Sequence, residues 1–210
     1  MKAREAILTA LDFESTGSAG VHPDEPWQVG MVEIREGRVT GKCHESWLRV
    51  AAGRPFNPYA PGRHAELRGI LAEAPEVAGE WPTWRPWLEG RPLVAHNAST
   101  EKRFLKRAAP LHAFGPWIDT LRLARHAWPG LAGHTLTEVS EAVGVVGRVR
   151  ELCPGRDWHD ALFDAFACAL VVERLLALPG WEQVGVEALA AAGARRGAPG
   201  GRGWENDSAG

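Results

Sequence analysis

The stretch Ala6-Ile7-Leu8-Thr9-Ala10-Leu11-Asp12-Phe13-Glu14-Ser15-Thr16-Gly17 limits what this chain can fold into more than any other. It is largely apolar up to Leu11 and reads as a core strand. Side chains alternate across a strand, so Asp12 and Glu14 share one face at its end while Phe13 points the other way, into the core. Two carboxylates so close repel, and a compensator must reach them: a shared proton, a basic partner or a divalent metal.

At 210 residues the chain can bury a full core, and it reads as one domain over residues 1–194 with a flexible tail over 195–210, where Gly, Pro and polar residues dominate. The formal net charge of -2 gives no overall positive field of the kind that grips a long duplex, so a polyanion site must be local or built with metal. Cys43, Cys153 and Cys168 are odd in number and form no CxxC pair, which fits a reducing cytoplasm and no disulfide framework. No apolar run suggests targeting or a membrane, so a cytoplasmic location and no membrane partner are expected.

After Gly17 a polar connection leads to a second strand over residues 27–35, a tight turn at Glu36-Gly37-Arg38 and a third strand over 39–50. A short helix is expected over 63–74. Trp81, Trp84 and Trp87 line one face of a further helix with Pro82 in its first turn, a packed face rather than a platform for bases. Leu93-Val94-Ala95 is a short strand, followed by a helix that Asn97 or Ser99 can cap. Trp117-Ile118 is another strand, with Asp119 capping the helix after it. Residues 136–143 form a helix stopped by Gly144, a loop runs through Cys153-Pro154-Gly155, and residues 160–176 are the clearest helix, before a last one near 186–192. A meander of strands followed by strands alternating with helices implies an α/β fold: a mixed sheet, antiparallel meander plus parallel strands, flanked by helices.

Asp12, Glu14, Glu101, His159 and Asp164 thus all stand at the ends of regular elements. Singly, Glu101 or Asp164 could merely complement a helix dipole, and His159 could be a surface histidine. Together, four carboxylates and a histidine are what a two-metal phosphodiester hydrolase requires, with the histidine able to accept a proton from water near neutral pH.

In their order and spacing these residues resemble the DEDD-type 3'-5' exonucleases of the ribonuclease H-like superfamily, in the branch with a catalytic histidine, and within it the epsilon proofreading subunits of bacterial DNA polymerase III. Residues 11–17 match the first motif, residues 93–101 with Phe104-Leu105 the second, and residues 159–165 the third. Ile118-Asp119-Thr120-Leu121 and His134-Thr135-Leu136 look like the family's connecting segments. The resemblance covers roughly residues 5–177 and implies an exonuclease domain with two divalent ions, Mg²⁺ or Mn²⁺, as cofactors. It implies that Asp12, Glu14 and Asp164 hold one metal, that Asp12 also touches the second, and that His159 is the general base. Thr16 and Gly17 would approach the terminal nucleotide, partly through backbone groups, while His96 and Asn97 shape the pocket floor. Glu101 departs from the family's Asp. Its extra methylene moves the carboxylate on the order of 1.5 Å, which a water-mediated ligand absorbs more easily than a direct one.

Lys102, Arg103, Lys106 and Arg107 follow Glu101, and Arg148, Arg150 and Arg156 precede His159; each is either a local phosphate contact or a solvated face. The expected partner is the 3' end of a nucleic acid, DNA before RNA and single strand before duplex. An exoribonuclease or oligoribonuclease-like enzyme shares the chemistry, and a nuclease-like module that binds nucleic acid or a polymerase without cutting stands as the alternative from another class. The tail shows no apolar motif for a clamp, polymerase or repair partner.

Overall fold

The computed structural model describes residues 1–62 and 64–194; the expected tail over 195–210 lies outside the described residues. The opening apolar run becomes β1 (Ile7–Ser15) in the middle of the sheet. With β2 (Pro26–Arg35), β3 (Arg38–Trp47), β4 (Leu93–Ala95) and β5 (Trp117–Asp119), the order is β3-β2-β1-β4-β5. The meander β1–β2–β3 is antiparallel, and β4 and β5 add in parallel beside β1. Glu36 and Gly37 turn between β2 and β3 with φ of 54° and 70°, the left-handed pair a two-residue hairpin needs to match strand twist.

Eight helices are described: α1 (His64–Glu73), α2 (Val77–Leu88), α3 (Ser99–Ala108), α4 (Thr120–Ala127), α5 (Leu136–Ala142), α6 (Val146–Leu152), α7 (Ala161–Leu176) and α8 (Val186–Ala194). Strand alternation splits the core in two. Leu8 and Ala10 of β1, with Val32, Ile34, Val94 and Ile118, pack with Phe163, Phe166 and Leu170 of α7. Leu11 and Phe13, with Val29, Met31 and Leu93, pack instead with Trp84 and Leu88 of α2 and Phe104 and Leu105 of α3. Asp12 and Glu14 continue the row of Leu8 and Ala10, so they point to the side of the sheet that α7 covers. Buried between the sheet and α4, α5 and α6, α7 is apolar almost all round.

Three elements differ from the sequence expectation. β3 ends at Trp47 rather than near Val50, because Arg49 N donates to Pro75 O and Val50 N to Leu71 O, drawing the chain off the sheet towards α1. α2 begins at Val77, which puts Pro82 and Pro86 in its interior, where each removes an amide donor. Burial of Trp84 and Leu88 and a bond from Trp84 Nε1 to Ser46 Oγ (3.1 Å) hold it nonetheless. The tryptophans pack, as expected: Trp84 edge-on to Phe13, Trp81 against His112 and Phe114, Trp87 beside His44. α6 was hidden because Val145, Val146, Gly147 and Val149 are poor helix formers; burial of Val145 and Val149 outweighs that propensity.

Candidate active site

Asp12 and Glu14 reach the floor of a cleft of about 520 Å³ that also takes Gly17, Asn57, Tyr59, His96, Asn97, Glu101, His159 and Asp164 into its lining. What brings Asp164 to it is the seating of α7. Gly30 of β2 pairs with Asp12 across the sheet, and a Cβ at Gly30 would collide with the Ala161 carbonyl and Leu162 Cα. Only glycine lets the first turn of α7 lie so close to the strand. Asp160 caps that turn, its Oδ1 accepting from Leu162 N (3.1 Å) and Phe163 N (3.2 Å). Gln28 braces it from β2: Nε2 donates to Asp160 Oδ2 (3.1 Å) and Oε1 accepts from Ala161 N (3.1 Å). Arg156 joins Asp160 to Glu45 of β3, with a paired contact to Glu45 at 2.6 and 2.7 Å. Just ahead of the cap His159 takes a left-handed φ of 64°, and its N–H donates to Asp164 Oδ2 (3.3 Å).

Glu101 arrives differently. It lies in the first turn of α3, 4% exposed. Neither Asn97 nor Ser99 caps this helix: Ala98 holds the N-cap position without a side-chain bond. Asn97 instead adopts φ 65° and gives its N–H to Asp119 Oδ1 (3.0 Å), which also accepts from Leu121 N (3.1 Å) as the cap of α4. His96 Nε2 donates to His134 O (2.9 Å), its Nδ1 facing Thr120 Oγ1 at 3.0 Å, and burial holds its pKa below the ordinary value.

Ligand atoms of Glu14, His159 and Asp164 lie within 4.8 Å of one another. Asp12 and Glu101 are outside that tight group but in the same cleft. Burial comes first in raising the pKa of all four carboxyls, followed by the charge of Asp160 for Asp12 and of Asp12 for the other three: Asp12 to about 7, Glu101 and Asp164 to about 8, Glu14 to about 9. Asp12 is the largest charge acting on each of the other three, so it sits electrostatically between Glu14 and Asp164 on one side and Glu101 on the other. No lysine or arginine lines the cleft among the described residues. Glu101 Oε2 and Asp164 Oδ1 are buried without a hydrogen-bond partner. Oxygen-rich, mutually repelling and with two such oxygens, the set fits a hard divalent cation.

Thr16 is a correction. Its side chain is fully buried beneath the cleft, where Oγ1 accepts from Glu25 N (3.1 Å), while its N–H and carbonyl are bonded to Glu25 O and Asn57 N at 2.8 Å. Neither its hydroxyl nor its backbone is free for a nucleotide. Gly17 does line the cleft, with φ 63°. Most of the candidate phosphate cations are engaged elsewhere: Arg103 and Arg107 bond Asp24, Lys106 bonds Pro110 O, Lys102 lies over Trp117, and Arg148 and Arg156 pair with Glu173 and Glu45. Sequence reasoning missed Gln28, Gly30 and Asp160 as the seat of α7. A glycine and a glutamine within the apolar first half of β2, residues 26–32, were the signal available.

Residues 9–172 match the exonuclease family, RNase T. A DNA polymerase III subunit epsilon-like protein of Rhodobacter capsulatus is 31% identical over 173 residues, covering 80% of this chain. The chain spans 23% of that relative's length. Exodeoxyribonuclease 10 of Escherichia coli is 25% identical over 181 residues, with 83% of this chain and 71% of the relative covered. Among solved structures, the nuclease domain of 3'hExo, a DEDDh family member bound to rAMP, superposes with a TM-score of 0.64 at 16% identity over 88% of this chain and 98% of that one. The likeness is one of fold, the ribonuclease H-like mixed sheet flanked by helices.

Proposed function

The chain belongs to the exonuclease (RNase T) family, and on that premise we propose that it is a metal-dependent 3'-5' exonuclease acting on DNA ends, single strands before duplex. The observation that carries the reading is the convergence of Asp12, Glu14, Glu101 and Asp164, from β1, α3 and α7, on one cleft with His159 at its rim. Asp12, Glu14 and Asp164 would hold one divalent ion, and Asp12 with Glu101 a second, Mg²⁺ or Mn²⁺. Such ions, when bound, supply Lewis acidity at the phosphate and ease deprotonation of the attacking water. His159 takes the proton from that water, within reach of Glu14 and Asp164. The water oxygen bonds to phosphorus as the bond from phosphorus to the 3' oxygen of the preceding nucleotide breaks; that oxygen leaves with the electron pair and takes up a proton from solvent, and a nucleoside 5'-monophosphate departs. Asn97 and Gly17 border the nucleotide, and His96 stands in the pocket wall, where burial disfavours its charged form.

The test is a set of 5'-labelled single strands of DNA and RNA, incubated with Mg²⁺, Mn²⁺ or chelator, beside Asp12→Ala. Stepwise shortening from the 3' end that needs metal and Asp12 is expected. Shortening that survives chelation or Asp12→Ala defeats the metal mechanism, and faster loss of RNA than DNA reassigns the substrate.

A further inference from the structure

His159 stands exposed at the rim of the cleft, and among the described residues its one hydrogen bond is the long one from its N–H to Asp164 Oδ2 (3.3 Å). Its backbone φ of 64° lies in the left-handed region, which a residue with a side chain leaves unless its surroundings hold it there. The residues on both sides do so. Trp158, before it, packs edge-on to Phe163 of α7 with ring centroids 5.1 Å apart. Asp160, after it, is gripped from two segments: Arg156 Nη1 donates to both of its oxygens (3.0 Å each), and Gln28 Nε2 donates to Oδ2 (3.1 Å). Glu45, on the edge strand β3, closes the ring of bonds, accepting from Arg156 through both oxygens (2.6 and 2.7 Å) and from Gln28 Nε2 (2.7 Å).

Arg156 is thus the cation shared by two half-buried carboxylates, and its planar fork reaches both at once. Without it Glu45 and Asp160 would repel across the same gap, and the chain beside Asp160 would move out. That movement falls on His159 rather than on Asp164. Asp164 lies a full turn inside α7, whose seat keeps the close approach over Gly30, the burial of Leu162 and Phe163, and the bond from Ala161 N to Gln28 Oε1. His159 lies outside the helix, on the loop to which Arg156 itself belongs. We propose that Arg156, anchored on Glu45, is a positioning residue for the general base: it holds residues 156–160 so that the His159 ring turns in towards Glu14 and Asp164 instead of out to solvent. This rests on the exonuclease reading for the role of His159.

The test is a double-mutant cycle on kcat for a 5'-labelled single strand at saturating Mn²⁺. Arg156→Ala should lower kcat by roughly 10- to 100-fold, the scale of misplacing a catalytic group by about 1 Å. KM should change little, since Arg156 does not line the cleft. His159→Ala should lower kcat by roughly 10²- to 10⁴-fold. Adding Arg156→Ala to it should then cost no more than about 2-fold, because no ring is left to place. Arg156→Lys should recover part of the loss, an ammonium reaching one carboxylate but not both. Glu45→Gln, which loosens the anchor from β3 and leaves the cleft untouched, should repeat the pattern of Arg156→Ala with a smaller loss. A second readout needs no turnover: amide exchange at His159, followed by NMR, should speed up by roughly 10-fold or more in Arg156→Ala while amides deep in α7, such as that of Cys168, keep their protection. Losses that multiply in the cycle, a kcat indifferent to Arg156→Ala, or exchange that rises throughout α7 overturns the proposal and leaves the exonuclease reading standing. Wild-type protein that shortens no strand in Mg²⁺ or Mn²⁺ removes the exonuclease reading instead, and the exchange at His159 alone then decides whether Arg156 places it.

Discussion

Two helices deliver acids to this cleft, and they are held in opposite ways. The first turn of α7 is capped twice by Asp160, braced by Gln28 and Arg156, and pressed against β2 over Gly30, so Asp164 has little freedom. The first turn of α3 has Ala98 at its N-cap and no side-chain cap; its entry is tied through Asn97 to Asp119. A carboxylate on the braced helix is suited to direct coordination, where tenths of an ångström matter, and one on the looser helix to a contact that tolerates adjustment. The residue that departs from the family pattern, Glu101, is on the looser helix.

Replacing the two acids in turn gives the largest effect and strikes at the comparison directly. Asp164→Ala should cut kcat/KM on a labelled strand on the order of 10³-fold, the scale of losing a direct electrostatic element of the site. Glu101→Ala should cost only about 10- to 100-fold, as for an outer ligand, and Glu101→Asp should keep or raise activity. Equal losses from both alanine variants would mean that the two helices place their acids equally firmly. Equal activity of Glu101, Asp and Ala at this position would take the residue out of the site.

Gly30→Ala probes the brace without touching an acid. The added methyl meets backbone rather than a yielding side chain, so α7 must lift from β2 and carry Asp164 with it. We expect a loss of about 1–3 kcal/mol in stability, as for overpacking, read by denaturant unfolding. Activity should fall more than that destabilisation predicts when assayed well below the melting temperature. Full activity in a destabilised protein would show that Asp164 does not depend on this contact.

The same contrast explains what the sequence disclosed. Local signals were readable: the run of β1 ending in Asp12 and Glu14, the turn at Glu36-Gly37, and the Ala- and Leu-rich α7 all declare themselves within a few residues. The mixed sheet followed from their order. Non-local burial was not readable. Thr16 stands next to motif residues, yet a bond network with Glu25, Arg54 and Asn57, distant in sequence, turns it under the cleft. The cap of α3 failed for a similar reason, since Asp119 claims the Asn97 amide from another strand. α6 exists because Val149 finds a core, not because its own residues favour a helix.

The smallest effect concerns the carboxylates as a set and compares the cleft with and without its counter-ion. Asp12, Glu14, Glu101 and Asp164 have folded pKa values of about 7 to 9, above the ordinary 3.8 to 4.5. A group whose folded pKa is raised holds its proton more tightly in the native state, so its contribution to stability is complete below the unfolded pKa and is lost as pH rises through the folded one. Metal-free protein should therefore become less stable from about pH 4 towards about pH 9 as the four acids are forced to ionise together. A divalent cation binds the ionised set and releases those protons, so it should stabilise more as pH rises. The difference in melting temperature between Mn²⁺ and chelator should be a few degrees at alkaline pH and should shrink towards about pH 5. Asp164→Ala should abolish most of that difference and Glu101→Ala only part of it. A metal-induced shift independent of pH would mean that the ion binds somewhere other than among these four acids.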